Sequence, residues 1–192
     1  RHTEREFRLE FSVLIGGKAG FGIDKSGVIL ARLLNQQSWR VYVYRDYPSI
    51  IRGGHTFSII RASPERIATH RDKVDFLLAL NQETLQRHLA RLKEDSVVIY
   101  DSDAVNPGDL KNRCLGFSIG KIIKEENASE ITRNTCMIAA FARAAGMSFD
   151  SLARVLKQEI GKELEVNLKV SRRGYEAIQG LNLKRHSTCP NW

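Results

Sequence analysis

The chain has 192 residues, 42% hydrophobic and 27% charged, which is enough apolar material for one folded domain of ordinary soluble composition. Its 30 Lys and Arg against 22 Asp and Glu give a formal charge of +8, but no five like charges run together, so the basicity reads as solvated helix faces rather than a nucleic-acid surface. No stretch approaches a membrane span, and the start, Arg1-His2-Thr3-Glu4-Arg5-Glu6, lacks the apolar run of a secretory leader, leaving a cytoplasmic location as the default.

The first element is Phe11-Ser12-Val13-Leu14-Ile15, a short apolar run stopped by Gly16-Gly17, and it reads as a buried strand. From Ile23 to Gln37 the residues Ile23, Gly27, Leu30 and Leu34 share one helical face. Val41-Tyr42-Val43-Tyr44 reads as the next strand, so the opening has the dimensions of a β–turn–α–β unit. Phe57 to Ile60 and Phe76 to Leu80 are strand-like. Leu85, Leu89 and Leu92 mark a helix, and Val97 to Tyr100 a further strand. This alternation predicts an α/β layered sheet, largely parallel.

Asp101-Ser102-Asp103 and Asn106-Pro107-Gly108 form a turn-rich break, followed by a short strand around Cys114 to Ile119. From Ser129 the pattern becomes helical. Ile131, Thr135, Ile138 and Ala142 share a face that Gly146 ends, and Ser148 is placed to cap a helix carrying Leu152, Val155, Leu156 and Ile160. Leu164, Leu168, Tyr175 and Ile178 give a last face, interrupted by Gly174. The division is a tail at residues 1–8, a domain at 9–180, and a tail or interdomain linker at 181–192. The missing initiator Met and the linker-like Pro190-Asn191-Trp192 lean towards a piece of a longer chain.

Cys114, Cys136 and Cys189 lie far apart with no CxxC pair, so they read as reduced structural thiols and build neither a zinc ribbon nor a ferredoxin-type cluster. The five histidines, at 2, 55, 70, 88 and 186, show no metal-binding spacing, and no metal site is expected.

Two glycine-bearing stretches stand out. Gly16-Gly17-Lys18-Ala19-Gly20-Phe21-Gly22 joins the first strand to the first helix. Glycines there allow a sharp turn and close approach of a ligand, and a helix N-terminus attracts anions. As a dinucleotide fingerprint it is imperfect: Gly17, Ala19 and Gly22 fit GxGxxG spacing only with Ala in the middle. Asp46, 24 residues after Gly22, is the one acidic residue placed for a ribose, and no GKS or GKT closes a Walker loop. Phosphate or pantetheine binding, NAD(P) binding and a purely structural turn all stay open. In the second stretch, Tyr44-Arg45-Asp46-Tyr47-Pro48-Ser49-Ile50-Ile51-Arg52-Gly53-Gly54-His55-Thr56, Arg52 and His55 flank two glycines and are able to contact phosphate or carboxylate. A solvated corner leading into a strand is the plainer reading.

The order GGKAGFGI, then YRDYPSIIRGGHTFSIIRAS, resembles the gamma domain of the pyruvate and 2-oxoglutarate:ferredoxin oxidoreductases. It looks most like the form fused to the front of an alpha subunit. Asn134-Thr135-Cys136-Met137, the helix from Phe149 to Ile160, Asn167-Leu168 and Gly174-Tyr175 are similar to that domain's closing helices. The resemblance implies a Rossmann-like three-layer sandwich with a mainly parallel sheet and a helical C-terminal part.

It also implies one part of an enzyme that oxidatively decarboxylates a 2-oxoacid to acyl-coenzyme A. The alpha portion's Tyr-Pro-x-Thr-Pro motif and the family's cluster cysteines are absent, so thiamine diphosphate and iron–sulfur clusters are expected only on partner domains or subunits. The expected partners are the alpha domain and beta subunit, with ferredoxin indirectly; no nucleic acid or membrane is expected, and self-association is left open. Coenzyme A handling falls to Gly16, Gly17, Gly20, Gly22, Arg52, Gly53, Gly54, His55 and Thr56, with no catalytic residue. Within the family the Arg-Gly-Gly-His stretch serves equally well as a docking surface without a ligand. The alternatives are an NAD(P)-binding Rossmann oxidoreductase and a non-catalytic interaction domain.

Overall fold

The computed structural model describes residues 10–46, 54–64 and 72–179. Six strands form one sheet in the order β2-β3-β1-β4-β5-β6: β1 (Phe11–Lys18), β2 (Arg40–Asp46), β3 (His55–Ser63), β4 (Val74–Ala79), β5 (Leu92–Asp101) and β6 (Arg113–Phe117). The helices are α1 (Ile23–Asn35), α2 (Gln82–His88), α3 (Ile119–Glu125), α4 (Thr132–Ala144), α5 (Phe149–Glu159) and α6 (Leu164–Ala177). Strands β1, β4, β5 and β6 pair in parallel, while β3 runs antiparallel between β2 and β1.

Alternation along the strands divides the core into two faces, because successive side chains point to opposite sides. Val13, Ile15, Ile60, Phe76, Leu78, Val97 and Ile99 face one way and meet α1, α3, α4, α5 and α6. Leu14, Ile59, Leu77, Ala79 and Val98 face the other way, towards Leu85 of α2 and Val105. Nearly all the helical mass therefore lies on one face of a three-layer sandwich. Phe141, fully buried, meets Phe76 edge-to-face at 5.1 Å and joins α4 to the sheet centre. Glu159 of α5 accepts from Lys25 and Arg32 of α1, each at 2.7 Å, tying the first helix to the C-terminal group.

Several local expectations hold. Gly146 follows α4 with φ +74°, its N–H bonded to the Arg143 carbonyl at 3.1 Å, and Ser148 caps α5 by accepting from the Ser151 N–H at 3.2 Å. Cys136 is a structural thiol, which burial pushes up to about 12. No helix among the described residues is long and apolar enough to cross a membrane.

Other details differ from the sequence reading. β1 does not stop at Gly16-Gly17 but continues to Lys18, because both glycines keep their places opposite Phe57 and Thr56 of β3. The helix expected through Leu92 ends at His88 and tightens into a 3-10 turn over Leu89–Arg91, since Leu92 is already paired with Val74. The strand placed at 114–119 is β6, which ends at Phe117. Ser118 then caps α3, an element the sequence reading missed.

Nor does Gly174 interrupt the last helix. It lies inside α6, where a Cβ would stand 2.5 Å from the Cys136 carbonyl oxygen and 2.8 Å from its sulfur. Glycine is required there by the contact between α6 and α4 rather than by a break. Gly174→Ala should therefore lower stability by about 1–3 kcal/mol despite the better helix propensity of alanine, because the clash is with backbone. Urea denaturation checks this; stability equal to that of the parent chain would mean that α4 and α6 separate freely.

Candidate functional site

The carboxyl ends of β1, β4, β5 and β6 share one edge of the sheet, where open α/β folds place their ligands. From β1 the chain leaves through α1 on one face; from β4 it leaves through α2 on the other. The crevice between these exits is the topological switch point, and residues 19–22 form one wall of it.

The four glycines divide into two pairs with different reasons for being glycine. Gly16 and Gly17 are strand residues. A Cβ on Gly16 would reach within 2.6 Å of the Thr84 methyl and 3.1 Å of the His55 ring, and one on Gly17 within 3.0 Å of Ile23. They let α2 and the start of α1 approach the sheet. Gly20 and Gly22 make the turn, with φ of +89° and +82°, values that L side chains adopt only under strain. The Phe21 N–H donates to the Lys18 carbonyl at 3.3 Å, closing the turn, and Gly22 serves as the N-cap of α1 with no side chain capping the helix. The first N–H groups of α1 thus lack intrahelical partners and face an anion-attracting end. Among the described residues, a Cβ on Gly20 would meet nothing within 4 Å.

Arg52 and Gly53 lie outside the described residues. Gly54, His55 and Thr56 are brought beside the turn by the pairing of β3 with β1: Lys18 stands opposite His55, Gly17 opposite Thr56, and the Ala19 N–H donates to the Gly54 carbonyl at 2.7 Å. Gly54 and the first glycine stretch, more than thirty residues apart, are thereby joined.

His55 and Thr56 both have partners within the protein. Thr56 donates its hydroxyl to the Asp46 carbonyl at 3.2 Å, fastening β3 to β2. His55, expected as a charged or polar donor, has a buried ring, with Nε2 2.9 Å from Nε2 of His88. One ring donates and the other accepts, so the accepting ring at least is neutral. Burial lowers both, and His88, further opposed by His55 and by Arg91 and Arg87, falls to about 4. Phe57 packs edge-on against His88, 4.4 Å between ring centres. His88 was not singled out in the sequence, although its place between Leu85 and Leu92 on an apolar helical stripe put it within reach of the core.

Asp46, the carboxylate that an NAD(P) site would need, closes β2. Because β3 intervenes between β2 and β1, it stands two strand spacings, about 10 Å, from the glycine turn. A ribose held on the turn would find no acidic partner at the neighbouring strand.

Two groups at the same edge were missed as parts of the site. Asn134, 6% exposed at the start of α4, donates its side-chain N–H to the Phe21 carbonyl at 2.5 Å. Beside it Arg133 reaches Asp101 at the end of β5, 2.6 Å away. Asp101 also accepts from the N–H groups of Asp103 and Ile119 at 3.1 and 3.3 Å, and burial pushes its carboxyl up against these partners. The turn-rich composition of 101–103 and the Asn134-Thr135-Cys136-Met137 segment marked this corner in the sequence, without showing that the two meet.

The histidine pair has a consequence for stability. Unfolded histidines bind protons below pH 6.5, whereas the folded pair resists protonation down to about pH 4 at His88. Stability is therefore intact above pH 6.5 and falls on acidification towards pH 4, by about 1.4 kcal/mol per pH unit for each neutral histidine. In His88→Gln this slope should shrink by one proton, as read by denaturant midpoints between pH 7 and 4; an unchanged slope would place the titration elsewhere.

Known proteins agree with this architecture. Over residues 12–177 the chain matches the family model described as pyruvate ferredoxin/flavodoxin oxidoreductase. It is 27% identical over 168 residues to the 2-oxoglutarate synthase subunit KorC of Archaeoglobus fulgidus, covering 87% of each chain. It is 25% identical over 164 residues to a 2-oxoacid:ferredoxin oxidoreductase alpha subunit of Aeropyrum pernix, where it spans 80% of this chain but 25% of that one.

Among solved structures, the gamma subunit of a keto/oxoacid ferredoxin oxidoreductase from Geobacter sulfurreducens superposes with a TM-score of 0.76 at 25% identity, covering 88% of this chain and 95% of that one. The 2-oxoglutarate:ferredoxin oxidoreductase of Magnetococcus marinus, solved with 2-oxoglutarate, coenzyme A and succinyl-CoA bound, shares the fold with a TM-score of 0.79 at 21% identity; the match covers 91% of this chain and 33% of that one. With a switch-point glycine turn, a reversed β3 and a family match over most of its length, the chain belongs to the pyruvate ferredoxin/flavodoxin oxidoreductase family.

Proposed function

We propose that this chain is the gamma component of a 2-oxoacid:ferredoxin oxidoreductase that converts a 2-oxoacid to acyl-coenzyme A, and that it handles coenzyme A and assembly rather than bond making at the oxoacid. The observation that carries the reading is the family match over residues 12–177, together with a relative named as a 2-oxoglutarate synthase subunit that aligns over 87% of its own length. The alpha-subunit relative in which the matching region is a quarter of the chain supports an alpha domain as neighbour. The beta subunit and ferredoxin are inferred as further partners.

The residues present suit coenzyme A better than the other groups such an enzyme needs. Coenzyme A carries a pyrophosphate and a 3′-phosphate, and the turn offers a 13-residue helix with no side-chain cap and, among the described residues, nothing within 4 Å of a Cβ on Gly20. Lys18, at the end of β1, adds a cation beside the turn, its ammonium 5.6 Å from the Phe21 ring centre. Arg52, two residues before Gly54, is the further cation assigned to a phosphate. Thiamine diphosphate and iron–sulfur clusters fall to the partners, because three scattered cysteines without a CxxC pair supply no cluster ligand set. In this division of labour the gamma chain holds the acyl acceptor by its phosphates, while the reacting carbon sits on a partner. The domain is assigned to residues 9–180, with 1–8 and 181–192 outside it.

Co-expression with its alpha and beta partners tests the assignment. The assembly should reduce a low-potential acceptor in a 2-oxoacid- and coenzyme A-dependent manner, and the isolated chain should not. Arg52→Ala should raise the KM for coenzyme A about tenfold, the worth of one charge-assisted hydrogen bond, without blocking 2-oxoacid decarboxylation. Unchanged coenzyme A kinetics would remove Arg52 from the site.

A further inference from the structure

The turn that the preceding reading gives to coenzyme A is gripped from outside by a residue on a different element. The peptide joining Phe21 to Gly22 has its carbonyl aimed at Asn134, whose Nδ2 lies 2.5 Å away. An acceptor carbonyl is met only by the amide's N–H side, so the orientation of the Asn134 side chain is fixed. A trans peptide is planar, and its carbonyl and N–H point in opposite directions. Holding the Phe21 carbonyl against α4 therefore turns the Gly22 N–H away from α4. That N–H has no acceptor among the described residues, and neither has that of Gly20.

Without this grip the peptide would be poorly determined. Gly20 and Gly22 bracket it, both with positive φ, and glycine visits several backbone regions at little cost. The side chain between them, Phe21, is 44% exposed and supplies little packing of its own. Asn134 is well anchored by contrast: it is buried at the head of a 13-residue helix, its N–H bonded to the Ile131 carbonyl at 3.3 Å, and its neighbour Arg133 is held by Asp101. The fit is also close, since a Cβ on Gly22 would stand 3.0 Å from Nδ2 and 3.2 Å from Ile131.

We propose that Asn134 is a positioning residue for coenzyme A: it locks the Phe21–Gly22 peptide so that the Gly22 N–H, with the first N–H groups of α1, is presented to a phosphate. The inference rests on the assignment of coenzyme A to this turn. It adds a residue more than a hundred positions away in sequence that touches no ligand itself.

Two variants test it in the assembled enzyme. Asn134→Asp keeps the shape but sets a carboxylate oxygen against the carbonyl, while Asn134→Ala removes the donor without a charge. Both should raise the KM for coenzyme A roughly tenfold, the worth of one N–H-to-phosphate bond, with kcat within twofold and the KM for the 2-oxoacid unchanged. Amide exchange of the peptide covering residues 19–23 should quicken in both. A residue that merely supports the fold would lower the melting temperature and kcat without this split. Coenzyme A KM values within twofold of the parent for both variants, alongside a raised value for Arg52→Ala, would overturn the role of Asn134 and leave the coenzyme A assignment standing. If Arg52→Ala and both Asn134 variants all leave the KM unchanged while exchange at 19–23 quickens, the coenzyme A assignment itself fails.

Discussion

The antiparallel ladder between β1 and β3 is the contact on which the site depends. It runs without a break from Phe11 opposite Ala62 to Lys18 opposite His55, so it sets the end of β1 against the start of β3. That register brings Gly54 within reach of Ala19 and so joins the start of β3 to the glycine turn. A slip of one residue would turn Val13 and Ile15 to the wrong face and lift the turn away from α1. The same ladder inserts β3 where a dinucleotide fold would place β2. Asp46 is thereby carried out to the edge of the sheet, one strand further from the glycine turn.

Burial and polarity are distributed to match. The helices that pack against the central strands gather on one face, and the first turn of α4 reaches from there over the carboxyl edge of the sheet. Arg133 fastens it to Asp101 on β5 and Asn134 fastens it to the turn after β1, so one helix start bridges both sides of the crevice. On the thinner face, α2 brings His88 against His55 as a neutral pair. A charged residue there would have to be desolvated with no carboxylate bonded to it, which is why both rings resist protonation. The histidine next to the glycines is in this way spent on holding α2 to β3, and Lys18 is the described cation beside the turn.

Local patterning was legible to a large extent. Hydrophobic periodicity located the first strand and first helix, and Gly146 and Ser148 marked the junction of α4 and α5, because these depend on neighbours a few residues away. The two glycine stretches were visible as unusual for the same reason. Their distribution of roles was not: Gly16 and Gly17 are glycine because Thr84 and Ile23 approach them, and nothing near them in sequence carries that information. Gly174 looked like a helix break for lack of knowledge of Cys136 on α4. The 3-10 end of α2 was hidden likewise, since strand pairing at Leu92 overrode the apolar spacing.

By itself, the sequence determined the alternation of strand and helix, the glycine turn opening α1, and the lack of any CxxC pair; all of these follow from residue type and short-range spacing. Only the tertiary structure decided that β3 lies antiparallel between β2 and β1, that His55 is bound to His88, and that Asn134 holds the peptide before Gly22. These join residues separated by 33 to 113 positions in the last two cases, and their geometry is set by sheet register and helix packing rather than by any local preference of the chain.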